Sequence, residues 1–246
     1  QYMKKVLYLF FWVFIIISCK NNPQATKAIE SGVSLEMATY RTLQISNVHY
    51  NLNFQIPEEQ KNPIHSKLIL DFNLEQLQES VYLDFKEETS KIKSVAINDN
   101  SVGIKHINEH IFLSKDHLKK GRNSVTIEFI AGELSLNRNK DYLYTLLVPD
   151  RARTLFPCFD QPNIKGTYTL SITAPKDWKV LCGAKEANKI EQGAFTKHEF
   201  GESDRMSTYL FSFVAGKFES VTKKPSNLEM TMLYRETDST KIKYST

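Results

Sequence analysis

The chain has 246 residues, 41% of them apolar and 24% charged, which is enough to bury one substantial core while its length falls between one domain and two. The formal charge is +4, and removing Lys4 and Lys5 with a leader leaves 30 basic against 28 acidic residues, or +2, with no basic stripe of the kind nucleic acid requires. The cysteines, Cys19, Cys158 and Cys182, form no C-x-x-C pair, which argues against thiol redox chemistry and a structural zinc finger.

At the N-terminus, Lys4-Lys5 precede an unbroken apolar run from Val6 to Ile17. A membrane span needs about 20 residues, so this run suits the core of a secretory leader better. Its ending, Ile15-Ile16-Ile17-Ser18-Cys19, resembles a bacterial lipobox, with Ile16 where Leu is usual and Ile17 in place of a small residue. Residues 1–19 are therefore expected to be a lipoprotein-type signal peptide with Cys19 as the lipidation site. The protein is expected to be exported to the bacterial cell envelope and lipid-anchored on a periplasmic or outer-membrane face; an uncleaved anchor or an ordinary leader is the alternative. Residues 20–39 lack any period and carry Pro, Ser, Gly and Gln, as a flexible tether would.

From Tyr40 the period is two. Val48, Tyr50, Leu52, Phe54 and Ile56 alternate with polar residues, and Leu68, Leu70, Phe72 and Leu74 repeat the pattern. Val81, Leu83 and Phe85 follow. His106-Ile107-Asn108-Glu109-His110 then matches H-x-x-E-H, a zinc-site spacing when it lies on a helix. Here Val102, Ile104 and His106 alternate with Gly103 and Lys105, so Asn108-Glu109 reads as a hairpin tip and both histidines as solvated turn residues. Along one strand, residues four apart lie about 13 Å from each other, too far to share an ion. Val125, Ile127 and Phe129 form the next strand.

Arg153 to Pro162, R-T-L-F-P-C-F-D-Q-P, departs from all this periodicity. Pro157 and Pro162 remove backbone donors and favour an irregular, buried connection, with Cys158 a buried thiol. Asp160 and Arg153 are expected to pair, because a buried carboxylate between Phe rings is costly alone. Tyr168, Leu170 and Ile172, then Tyr209, Phe211 and Phe213, resume the alternation. The fold expected for residues 40–222 is all-β, an antiparallel β-sandwich, and residues 223–246 are expected to hold a linker and the first strand of a further domain.

The Arg153 to Pro162 string resembles the F-P-C-F-D-E-P signature in the amino-terminal domain of the aminopeptidase N family of zinc metallopeptidases, the gluzincin aminopeptidases. Ile45 to Ile56 looks like that domain's opening strand, Leu118 to Phe129 like its L-x-x-G-x-N-x-V-x-I-x-F segment, and Thr208 to Val221 like its closing strand. The resemblance covers Tyr40 to Val221, and Arg153, Pro157, Cys158, Asp160 and Pro162 form its structural signature. It implies a saddle-like domain of an exopeptidase that removes the first residue of peptides. Zinc would be held by H-E-x-x-H and a later Glu in a helical catalytic domain, with a G-A-M-E-N strand gripping the substrate amine. The chain ends before either motif and begins Gln1-Tyr2 ahead of Met3, so it is expected to be a fragment, with no catalytic and no metal-binding residue of its own and inactive alone.

In the family, a Gln or Glu a few positions before the Arg often helps bind the substrate amine. Here those positions read Leu146-Leu147-Val148-Pro149, which removes the carboxylate and makes Leu147 and Val148 the candidate apolar wall of the substrate pocket. The partners implied are the protein's own catalytic domain, a peptide substrate through the full-length enzyme, and a membrane through the lipid anchor. A different class of function stays open at this level: a surface-tethered β-sandwich that binds a carbohydrate or protein and has no peptidase activity.

Overall fold

The computed structural model describes residues 29–224 and 230–242. The expected signal segment and Cys19 lie outside the described residues. A helix, α1 (Leu35–Gln44), comes first, with the Ser34 hydroxyl accepting from the Met37 N–H at 3.2 Å as its N-cap. Its first half, residues 35–39, falls in the expected tether and its second half, residues 40–44, in the expected β-domain. Its apolar residues Leu35 and Leu43 point outward, so no hydrophobic stripe announces it; polar contacts made by Arg41 hold it to the domain.

The strands follow in chain order: β1 (Ile45–Gln55), β2 (His65–Leu74), β3 (Val81–Asp84), β4 (Ile92–Ile97), β5 (Asn100–Val102), β6 (His106–Ile107), β7 (His110–Leu113) and β8 (Gly121–Ile130). Next are β9 (Leu136–Arg138) and β10 (Tyr142–Thr145), and after the proline-rich corner β11 (Gly166–Pro175), β12 (Lys179–Cys182), β13 (Glu186–Gln192), β14 (Phe195–Phe200) and β15 (Phe213–Gly216). Last come β16 (Glu219–Lys223), β17 (Met230–Tyr234) and a single turn, α2 (Ser239–Ile242).

An eight-stranded sheet runs β13-β14-β11-β1-β2-β8-β4-β5, facing a four-stranded sheet β12-β15-β10-β9 and a three-stranded sheet β3-β7-β6. Pairing is antiparallel except between β1 and β11, which run parallel with Tyr50 beside Tyr168. That register stacks the two rings at 4.9 Å. The alternation of β1 and β2 buries Tyr50, Leu52, Phe54, Leu68, Leu70 and Phe72 on one face, as period-two patterning requires. Asn47, at φ 50, takes up the bulge where β1 shifts register against β2.

The core joins the sheets through aromatic contacts. Phe54 meets Phe213 of the four-stranded sheet at 5.1 Å, and Phe129 meets Phe85, next to β3, at 5.6 Å. Between these two contacts lies the corner, with Phe156 6.1 Å from Tyr50 and Phe159 5.5 Å from Phe72. The proline-rich string is thus the piece that fills the large sheet's inner face where neither small sheet reaches. Gly132 lies under it: its N–H donates to the Leu155 carbonyl at 3.0 Å, and a Cβ there would collide with the Thr154 carbonyl and the Glu87 carboxylate. Within residues 223–246, expected to hold a linker and the first strand of a further domain, lies β17, which pairs antiparallel with β16.

Candidate functional site

The polar centre of the molecule is Asp84, at the end of β3 and fully buried. Its backbone makes two bonds with Cys158, the N–H donating to the Cys158 carbonyl at 2.8 Å and the carbonyl accepting from the Cys158 N–H at 3.0 Å, so the corner is stitched to the strand. Its carboxylate receives Arg41 bidentately, Nη1 to Oδ2 at 2.8 Å and Nη2 to Oδ1 at 2.6 Å. The Asp160 N–H adds a third donor at 2.9 Å, and His110 Nδ1 lies 2.8 Å from Oδ1. Arg41 also donates to the Tyr82 carbonyl at 2.7 Å and lies 5.5 Å from the centre of the Phe159 ring. Burial alone would push the Asp84 carboxyl up, but Arg41 and His110 outweigh it and hold the group below the usual carboxylate range.

This arrangement corrects the pairing expected from the sequence. Asp160 does not meet the Arg153 guanidinium: it accepts the Arg153 backbone N–H at 3.1 Å and the Thr208 hydroxyl at 2.7 Å. Burial raises its carboxyl despite those two bonds. The guanidinium of Arg153 turns instead to Asp150, at 2.7 Å, and to Glu109, at 3.4 Å. The buried pair that matters, Arg41 and Asp84, spans 43 positions of sequence and draws one member from the helix ahead of β1.

The hairpin expected at Asn108-Glu109 is present, with φ 47 and 71 at its two tip residues, the paired left-handed geometry of a tight hairpin turn. Its histidines differ from expectation. His106 is held by the Phe85 carbonyl at 2.9 Å and Thr89 at 3.1 Å, whereas His110 is wholly buried against Asp84 rather than solvated. Each ring is committed to separate protein groups. Among the described residues no three His, Cys, Asp or Glu side chains are grouped so as to hold a metal ion, so the donor set does not fit zinc.

The remaining signature residues are structural in their contacts. Cys158 is completely buried and its thiol is pushed well up, first by burial and then by Asp160 and Asp84, the reverse of what a nucleophilic thiolate needs. Cys182 is half-buried, and neither thiol is in a disulfide. Pro157 and Pro162 flank this buried turn, and the Pro162 carbonyl accepts the Ser207 hydroxyl at 2.6 Å. Asn123 explains the G-x-N spacing: it is buried, accepts the Lys119 N–H at 2.9 Å and donates to the Lys119 and Gly121 carbonyls at 2.7 and 2.9 Å.

Of the two pocket candidates, Leu147 is 2% exposed and belongs to the core, while Val148 is 57% exposed. Leu146 on the other side of Leu147 is exposed too, and with Tyr144 at the surface of β10 they form an apolar ridge beside the corner. Alternation explains the division, since successive side chains in an extended segment face opposite sides. A ridge of this kind can pack against another surface or border a cleft.

Residues 46–210 match the family model described as the peptidase M1 N-terminal domain. Human glutamyl aminopeptidase is 46% identical over 82 residues, 32% of this chain and 8% of that protein. Glutamyl aminopeptidase from Sus scrofa is 45% identical over 76 residues, again 8% of its length. A probable M1 family aminopeptidase 2 from Encephalitozoon cuniculi (strain GB-M1) is 33% identical over 113 residues, 42% of this chain and 13% of the relative. The matched stretch is thus a small part of each of these relatives. In fold, the chain resembles the crystal structure of the M1 zinc metallopeptidase from Deinococcus radiodurans with a TM-score of 0.62 at 17% identity, over 73% of this chain and 44% of that one.

Proposed function

The chain belongs to the peptidase M1 N-terminal domain family, and on that premise we propose that it is the non-catalytic β-domain of an exported zinc aminopeptidase that removes N-terminal residues from peptides. The observation that carries the reading is the family match over residues 46–210, which contains the whole ionic centre and the proline-rich corner apart from Arg41. In this reading zinc and the groups that activate water belong to a catalytic domain elsewhere in the full-length enzyme. The present domain supplies a rigid flank to its cleft.

The ridge of Tyr144, Leu146 and Val148 suits that role, because an apolar edge beside a fixed corner can border the pocket for a substrate's first side chain or pack against the catalytic domain. Export follows in the same reading from the Val6–Ile17 run, with Cys19 carrying the lipid that holds the enzyme at the cell envelope. The test is kinetic and uses the full gene product. Hydrolysis of aminoacyl reporter amides that a zinc chelator abolishes, together with a rise in KM at little-changed kcat for Val148→Arg, supports it. A full gene product with no such hydrolysis overturns it.

A further inference from the structure

The segment Ile29–Ser34, which leads into α1, lies across the β6–β7 hairpin and is fastened there by its carbonyls. Asn108 Nδ2 donates to the Ile29 carbonyl at 2.6 Å, and His110 Nε2 faces the Gly32 carbonyl at 2.9 Å and the Glu30 carbonyl at 3.2 Å. The other ring nitrogen of His110 faces Asp84 Oδ1 at 2.8 Å. A carboxylate and a carbonyl are both acceptors, so each ring nitrogen needs a proton, and a neutral imidazole carries only one. We propose that residues Ile29–Ser34 form a proton-dependent strap, latched onto the domain by the doubly protonated ring of His110 and released when that ring becomes neutral.

The charges around the ring allow the protonated form. From α1 comes Arg41, from β3 Asp84 and the Tyr82 ring at 6.3 Å, and from the corner, across Asp84, Asp160 and the Cys158 thiol. On the hairpin itself Glu109 binds Lys86 at 3.1 Å and Arg153 at 3.4 Å. Arg41 and Arg153 oppose a further cation, whereas Asp84 and Glu109 favour it, and Asp84 has Oδ1 turned directly to the ring. When the second proton leaves, Nδ1–H stays with the carboxylate, the stronger acceptor, and the lone pair on Nε2 then points at two carbonyl oxygens. The latch becomes repulsive, and among the described residues the Asn108 bond is the one that still ties the strap to the hairpin. Release frees the five residues ahead of the Ser34 N-cap, Ile29 to Val33, which span about 17 Å at full extension.

The measurement is cleavage of the full chain after Glu30 by a glutamate-specific protease, normalised at each pH to a free peptide carrying the same residues. Between about pH 6 and about pH 8.5 the normalised rate is expected to rise about tenfold, the effect of losing one charge-assisted bond. His110→Asn places an amide where Nδ1 sits, keeping the donor to Asp84 while removing the strap donor; it should cleave at the high rate throughout, with a flat profile. Should that variant not fold, ring 15N spectra of the unaltered protein decide the matter, with two ring N–H groups expected at the acid end and one at the alkaline end. A flat normalised profile for the unaltered chain, a singly protonated ring at about pH 6, or cleavage at Glu128 within β8 rising in step with Glu30 overturns the proposal.

Discussion

Asp84 accepts four hydrogen bonds, from two side chains and one backbone group, and each is withdrawn from water. Removing one partner leaves an uncompensated buried charge. Arg41→Met should therefore destabilise the domain by about 3–5 kcal/mol, read from the shift in denaturant midpoint at constant slope. The pH dependence follows from the direction of each shift. Asp84 is held below its usual range, so its contribution is present above the unfolded-state value of about 4 and is lost as the pH falls through the lower folded value. Asp160 is raised, so its contribution has the opposite sign: it is present below the unfolded value and is lost as the pH rises through the folded one. Asp84→Asn should lower stability at neutral pH and flatten the acid limb of the stability profile in denaturation series run at about pH 3 and about pH 7. A mutant whose acid limb matched the parent would show that Asp84 does not govern it.

At the scale of elements, the corner and the turns around it are fixed by close approach and buried hydrogen bonds. Gly132→Ala should be among the more damaging small substitutions, since its Cβ has no space against the Thr154 carbonyl; a loss of about 2 kcal/mol or more in thermal or chemical unfolding is expected. Asn123→Ala removes a side chain that both donates to and accepts from its own turn, and about 1–3 kcal/mol should go with it. The strands are legible in the sequence because burial on one face writes a period of two into β1, β2, β8 and β11. The helix α1 is not, because Leu35 and Leu43 face outward and its attachment is polar, made by Arg41 and by Gln161 reaching the Ala38 carbonyl at 3.0 Å. The parallel neighbours β1 and β11 are far apart in the chain, and alternation carries no sign of strand direction. His110 reads as a turn residue from its neighbours Asn108 and Glu109, yet the hairpin carries it inward to Asp84, a contact that only tertiary structure creates.

On the scale of the whole molecule, one apolar core joins the sheets and the corner, and Arg41, Asp84, His110 and Asp160 are hydrogen-bonded beside it. The arginines, aspartates and His110 that converge are engaged with one another, and the surface beside them is apolar. The corner residues that carried the family likeness are fixed by buried contacts, whereas Leu146 and Val148 are exposed. The most direct measurement is the rate at which the purified chain, supplied with zinc, hydrolyses a panel of aminoacyl reporter amides. Turnover should stay at the level of the uncatalysed blank, with no stoichiometric zinc retained after dialysis. Saturable, chelator-sensitive hydrolysis that follows the chain through purification would mean that reactive groups reside within it.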